Sequence, residues 1–112
     1  MMKSAQEVFE NHIKAVSTLD PEKVINDYAL DAVFTTPERT YKGAEQIKSF
    51  YQELLPKMDG FEIKTIKQET YNHVVYLVWH GKNEKLDVQF CTDTYIIENG
   101  KIKYHTFAGI IQ

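Results

Sequence analysis

Residues 89–107 read Q-F-C-T-D-T-Y-I-I-E-N-G-K-I-K-Y-H-T-F. Two runs rich in β-branched and aromatic residues flank Glu98-Asn99-Gly100. Asn-Gly between such runs is among the strongest short-range hairpin signals, because both residues tolerate the left-handed backbone of a tight reversal. Two turns compete. A two-residue Asn-Gly turn pairs Asp93 with Thr106, whereas a three-residue turn with Gly100 left-handed pairs Asp93 directly with His105. The second gives the better pairing. It sets Ile96 opposite Ile102, Thr92 opposite Thr106 and Val88 opposite Ile110 on one face, and Asp93-His105 with Cys91-Phe107 on the other. A carboxylate facing an imidazole on a largely apolar strand pair is the arrangement in this chain that looks like chemistry.

Upstream of the hairpin, Phe61 to Tyr71 and Val74 to Gly81 read as strands around a tight turn at Asn72-His73, and Lys82 to Lys85 form a polar loop. Val74 to Trp79 is apolar on both alternating faces. One face can cover helices, and a second subunit on the outer sheet face is the ordinary way to bury the other, so a homodimer is expected. His73 in its turn and His80 near a strand end read as solvated or interfacial.

The first third of the chain reads as helical. Ser4-Ala5-Gln6-Glu7 is a capping-box pattern, and Ala5, Val8, Phe9, Ile13, Val16 and Leu19 recur at helical spacing with His12 inside the stripe. Asp20-Pro21 restarts the chain as N-cap and first helical residue. Val24, Ile25 and Tyr28 then form the inner face of a short second helix. Ala32 to Thr36 and Arg39 to Lys42 make a small hairpin about Pro37-Glu38. Gly43 closes it before a third helix carrying Ile47, Phe50, Tyr51, Leu54 and Leu55, which Pro56 ends or kinks. Helices followed by a strand meander predict an α+β fold with the helices on one side of a curved antiparallel sheet.

The 112 residues suit one domain with one core, residues 1–112 together. The hydrophobic content of 43%, charged content of 26% and net charge of −3, without a Lys/Arg cluster, leave no electrostatic footprint for nucleic acid. A single cysteine rules out an internal disulfide and favours a reducing compartment. With no apolar signal region and no apolar run near the roughly 20 residues a spanning helix needs, a cytoplasmic protein away from membranes is expected.

The strings L-D-P-E-K-V-I-N-D-Y-A-L-D-A-V-F-T-T-P, Y-K-G-A-E-Q-I-K-S-F-Y and D-T-Y-I-I-E-N-G-K-I resemble, in this order, the nuclear-transport-factor-2-like superfamily in its ketosteroid-isomerase and SnoaL-like branch. The resemblance implies a cone-shaped curved sheet wrapped around three N-terminal helices, with a blind apolar pocket between them. It is not specific for function, since isomerases, dehydratases, cyclases, epoxide hydrolases and non-catalytic adaptors share this fold. Carried over by position, the oxyanion-stabilising acid is Asp93, the oxyanion tyrosine corresponds to His12, and the supporting tyrosines to Tyr28 and Tyr51. The proton-shuttling carboxylate corresponds to Thr36, ahead of Pro37. That isomerase chemistry needs both a carboxylate base and a neutral carboxylic acid donor, so Thr36 argues against steroid isomerisation of the usual kind. The resemblance also turns His105, Phe107 and Gly109 toward the pocket, with Trp79 lining it. The implied pocket holds His12, Tyr28, Tyr51, Asp93 and His105 among Phe50, Trp79, Cys91 and Phe107.

Three functions follow as expectations. In the first, the protein is a cofactor-free isomerase, lyase or cyclase for a small hydrophobic carbonyl compound. His105 is its base, Asp93 orients it, and His12 or a tyrosine hydroxyl steadies the oxyanion. Against this stands the plain alternative that Asp93 and His105 satisfy each other as a cross-strand pair. The second function is non-catalytic binding of a small apolar ligand, and the third is a dimeric interaction module. Cys91 has the surroundings of a small hydrophobe rather than a nucleophile, and no close-spaced ligand motif such as H-x-x-x-H calls for a metal.

Overall fold

A computed structural model describes residues 3–111. The capping box at the N-terminus is formed: Ser4 Oγ accepts from the Glu7 amide at 3.2 Å while the Ser4 amide donates to the Glu7 carboxylate at 3.0 Å. Helix α1 (Ala5–Ser17) follows, with Ala5, Val8, Phe9 and His12 buried along one side. Asp20 caps the five-residue helix α2 (Pro21–Ile25), accepting from the Glu22 amide at 2.9 Å.

Tyr28 does not extend that helix. It opens strand β1 (Tyr28–Thr35), because its backbone pairs with Ile102 and the neighbouring Asp27 carbonyl accepts from the Ile102 amide at 2.8 Å. The spacing of Val24, Ile25 and Tyr28 suits a helix, but a distant strand captures the backbone first. Strand β2 (Thr40–Lys42) returns beside β1, and Gly43, at φ 88° where a side chain is strained, turns the chain into helix α3 (Ala44–Leu54). Pro56 sits inside a 3₁₀ turn, Leu55–Met58, that ends α3.

Strands β3 (Glu62–Tyr71), β4 (Val74–Lys82), β5 (Asp87–Glu98) and β6 (Lys101–Ile111) form the meander. The six strands make one curved, unclosed sheet in the order β2-β1-β6-β5-β4-β3. All neighbours are antiparallel except β1 and β6, which run parallel. The three helices pack on the concave side around fully buried Val24, Ile47, Leu55, Val75 and Ile102. Truncating such a side chain to alanine costs about 2–5 kcal/mol.

The reversal between β5 and β6 differs from the three-residue turn expected. Asn99 at φ 53° and Gly100 at φ 74° form a two-residue turn, and Glu98 pairs with Lys101 and Ile97 with Ile102. Lys103 then bulges out of the ladder, so that Ile96 faces Tyr104, Tyr95 faces His105, Asp93 faces Phe107, Cys91 faces Gly109 and Phe90 faces Ile110. The direct Asp93-His105, Thr92-Thr106, Ile96-Ile102 and Val88-Ile110 pairings do not occur. A two-residue turn alone would put Asp93 and His105 on opposite faces. The extra residue shifts the pairing by one more step and returns both to the concave face.

Among the described residues no helix is long and apolar enough to cross a membrane.

Candidate functional site

Between the concave side of the sheet and the helices lies a cavity of about 280 Å³ that opens to solvent on one side. Its walls are mostly apolar and include Phe34, Phe50, Leu54, Leu77, Trp79 and Phe107, with His12, Tyr51, Asp93 and His105 among the polar residues that line it. Thr36, Glu38 and Tyr41 from the β1–β2 hairpin line it as well. An apolar hollow with a few convergent polar groups is the usual form of a small-molecule site.

Asp93 and His105 meet on the diagonal of the ladder: Asp93 Oδ1 lies 2.7 Å from His105 Nε2. The other carboxylate oxygen, Oδ2, accepts from the Trp79 indole N–H at 2.7 Å. Asp93 is 5% and His105 3% exposed, so each needs these partners to be buried at all. His105 Nδ1 lies 2.8 Å from the Tyr28 hydroxyl, which in turn lies 2.7 Å from the Tyr51 hydroxyl. The result is an unbroken chain, Trp79–Asp93–His105–Tyr28–Tyr51, drawn from β4, β5, β6, β1 and α3. With Asp93 ionised, Nε2–H donates to it, Nδ1 accepts from Tyr28, and Tyr28 accepts from Tyr51. Burial raises the pKa of both tyrosines, so they stay protonated.

The imidazole of His105 is also sandwiched. Phe34 stacks on one side with centroids 4.2 Å apart and Tyr95 packs parallel to it at 4.1 Å. With both nitrogens bonded and both aromatic neighbours in place, His105 has no free nitrogen for a ligand. The chain ends at Tyr51, which does line the cavity, while Tyr28 stands behind it and does not.

His12 lines the same cavity and is 2% exposed. It packs against the rings of Tyr28, Tyr51, Tyr95 and His105 with centroids 5.2 to 6.2 Å away, and its Nδ1 has no hydrogen-bond partner. Burial first, then the nearby His105, push its pKa down to about 3. His12 is therefore a neutral imidazole across the physiological range.

Of the other residues singled out in the sequence, Phe50, Trp79, Phe107 and Thr36 line the cavity. Cys91 does not. It is fully buried beside Gly109, its thiol contacts the Trp79 carbonyl at 3.5 Å, and burial and the Asp93 charge raise its pKa. His73 is exposed and His80 half-buried, away from the cavity walls. Among the described residues no three His, Cys, Asp or Glu side chains converge as a metal site. Sequence reading missed Phe34 and Tyr95. Tyr95 follows Asp93 by two and so shares its face, a signal present in the hairpin. Phe34 meets His105 only through the parallel β1–β6 pairing.

A model of the SnoaL-like domain matches residues 9–105. The chain belongs to the SnoaL-like domain family. Solved structures with the same fold as this SnoaL-like domain include a nuclear-transport-factor-2-like protein of unknown function from Cytophaga hutchinsonii. It has 14% identity and a TM-score of 0.81, over 98% of this chain and 92% of that one. An epoxide hydrolase from M. tuberculosis superposes with 17% identity and a TM-score of 0.73, over 95% and 82%. A cystatin-fold protein from Novosphingobium aromaticivorans gives 15% and 0.77, over 94% and 97%. At these identities the likeness is one of fold. No curated protein matches the SnoaL-like domain described here.

Proposed function

We propose that this SnoaL-like domain is an isomerase, lyase or cyclase that moves a proton on a small hydrophobic carbonyl compound without a cofactor. The observation that carries the reading is the hydrogen-bonded chain running from Asp93 through His105 and Tyr28 to Tyr51 at the wall of an apolar cavity. Proton uptake runs along it. Tyr51 takes a proton from the carbon next to the substrate carbonyl while passing its own to Tyr28, which passes its own to His105 Nδ1. Asp93 stabilises the imidazolium that results. Neither phenol leaves as a phenolate, which suits hydroxyls whose pKa burial has raised. His12, kept neutral, donates to the developing oxyanion. Return of the proton along the same route to a different carbon completes an isomerisation, and its delivery to a leaving hydroxyl completes an elimination. Thr36 at the cavity wall, where the steroid isomerases carry a carboxylate, directs the reading away from steroid double-bond migration.

The test needs no known substrate. Small apolar ketones are incubated with the protein in D₂O and exchange at the carbon beside the carbonyl is followed by NMR. Exchange above the buffer rate, lost in Asp93→Asn and in His105→Gln, is expected. Ketones that bind yet exchange no faster than in buffer would end the proposal.

A second reading, a binder that leaves its ligand unaltered, draws on one observation. Both oxygens of Asp93 and both nitrogens of His105 are already bonded within the protein. Recovery of a converted ligand by mass spectrometry would remove it. For the partner, we propose a homodimer through the convex face of β4, β5 and β6. The outward positions there, Val74 to Val78, Phe90 to Ile96 and Tyr104 to Ile110 in alternation, carry no charge, and Tyr76, Phe90, Tyr104 and Ile110 are exposed. Sedimentation as a monomer at micromolar concentration would contradict this.

A further inference from the structure

The cavity has a closed end and an open one. At the closed end His12, Asp93, Tyr95 and His105 line it at 2 to 5% exposure. Ile63, at 41%, and Ile111, at 50%, line it together with the exposed Glu38. Ile63 stands at the start of β3 and Ile111 at the end of β6, where Glu62 pairs with Lys82 and Val88 with Ile111. The mouth therefore lies at this end of the sheet. Three connections border it: the β1–β2 hairpin through Glu38, the β4–β5 loop through Leu86, and residues 57–61, which follow α3, through Met58 and Phe61.

Residues 57–61 lie mostly in solvent. Lys57, Asp59 and Gly60 are exposed, and Met58 and Phe61 are the half-buried residues that turn to the cavity. Phe61 is an anchor. Its ring packs so closely on Gly81 that a Cβ there would lie 2.7 Å from it, and its amide donates to the Met58 carbonyl at 2.9 Å. Gly60, at φ 71°, makes the bend just before this anchor, with nothing within 4 Å of a Cβ built on it.

Asn83 of the facing loop ties the rest of the segment down. Its Nδ2 donates to the carbonyls of Lys57 and Asp59, each at 2.8 Å, one on either side of Met58. Its Oδ1 accepts from the Lys85 and Leu86 amides, each at 2.8 Å. A side-chain amide has two donor hydrogens and two acceptor lone pairs, and here all four are used. The two atoms serve different ends: Oδ1 shapes the β4–β5 loop, and Nδ2 binds that loop to the segment across from it.

We infer that residues 57–61 are a movable wall of the cavity mouth, hinged at Gly60 and latched by Asn83, and that the mouth widens to admit molecules when the two Nδ2 bonds release. Two exposed hydrogen bonds are enough to hold a short segment and few enough to open without unfolding the sheet. Passage through the latch is independent of what the cavity binds and of any acid–base chemistry inside it.

Trp79 is the single tryptophan of the chain and lines the cavity beside Phe61, with ring centroids 6.0 Å apart, so quenching of its fluorescence reports what passes the mouth. Two quenchers are compared on the whole chain: TEMPO, an uncharged and mostly apolar nitroxide ring, and dissolved oxygen, which penetrates folded proteins without a gate. Asn83→Asp keeps acceptors for the Lys85 and Leu86 amides and loses both donors, so it opens the latch and leaves the β4–β5 loop in place. In this variant TEMPO quenching should rise at least about threefold, within the range that two lost hydrogen bonds allow, with oxygen quenching unchanged. Amide exchange in β5 and β6 should match the wild type. Should Asn83→Asp not fold, Gly60→Ala, which strains the latched backbone without a clash, decides by the same readouts. Unchanged TEMPO quenching in the folded variant would overturn the inference. So would a rise accompanied by faster oxygen quenching or faster exchange in β5 and β6, since Asn83 would then only be stabilising the fold.

Discussion

Asp93 faces Phe107 across the hairpin, yet its carboxylate closes on His105 of the next pair on the same face, Tyr95–His105, with Oδ1 2.7 Å from Nε2. The diagonal contact exists because two irregularities cancel. The even-length turn at Asn99-Gly100 would alone turn His105 outward, and the bulge at Lys103 turns it back.

Deleting Lys103 joins Ile102 directly to Tyr104 and removes the bulge while keeping Tyr95 opposite His105. The lost surface ion pair to Asp31 contributes little. The deletion variant should stay folded, within about 1 kcal/mol of the parent, and its His105 nitrogens should keep the parent's NMR shifts. Loss of the fold, or a His105 spectrum typical of solvent, would show that the bulge does more than set parity.

His12 makes the protein acid-sensitive. In the unfolded chain it protonates near 6.5, whereas the folded value is about 3. Between those values the unfolded state binds one more proton, so stability falls as pH drops through this window and is independent of His12 above it. Between pH 7 and pH 5 the loss from this residue is on the order of 2 kcal/mol. Urea midpoints at the two pH values should differ more for the parent than for His12→Phe, and equal differences would contradict the neutral burial of His12.

Tyr28 tests the relay because it carries the chain without lining the cavity. Tyr28→Phe leaves His105 Nδ1 and the Tyr51 hydroxyl without each other's link, at a cost of about 1–3 kcal/mol. Exchange beside the carbonyl of a bound ketone should fall as far as in Tyr51→Phe, with ligand affinity unchanged. Full exchange in folded Tyr28→Phe would mean that protons do not pass through Tyr28.

Gly109 of β6 sits opposite Cys91 of β5, where a side chain has no room. A Cβ there would lie 2.4 Å from that of Cys91 and 2.8 Å from the Phe90 carbonyl oxygen. Gly109→Ala should destabilise by about 1–3 kcal/mol or more, since backbone must yield. Cys91 should resist alkylation in the parent, where it is fully buried, and react faster in the variant; an unchanged melting temperature would be the contrary result.

Several features could be read from the residues alone because they are local. The Ser4–Glu7 box, the Asp20-Pro21 start, the α1 stripe with His12 inside it and the hairpin at Asn99-Gly100 each depend on neighbours within a few positions. The family's sequence strings, taken together, indicated the cone and its pocket. The face shared by Asp93 and Tyr95 follows from a strand's period of two.

Tertiary structure decided the rest. Tyr28 became a strand residue when β6 offered its backbone a parallel partner, and the same pairing laid Phe34 over His105. Which face His105 occupies turned on one bulged residue that no turn rule predicts. That both its nitrogens are spoken for required Tyr28 and Asp93 to arrive from different strands. Contacts between residues far apart in the chain depend on which backbone edges pair and in what register. Those choices are settled by the packing of the whole sheet against its helices, beyond the reach of any local pattern.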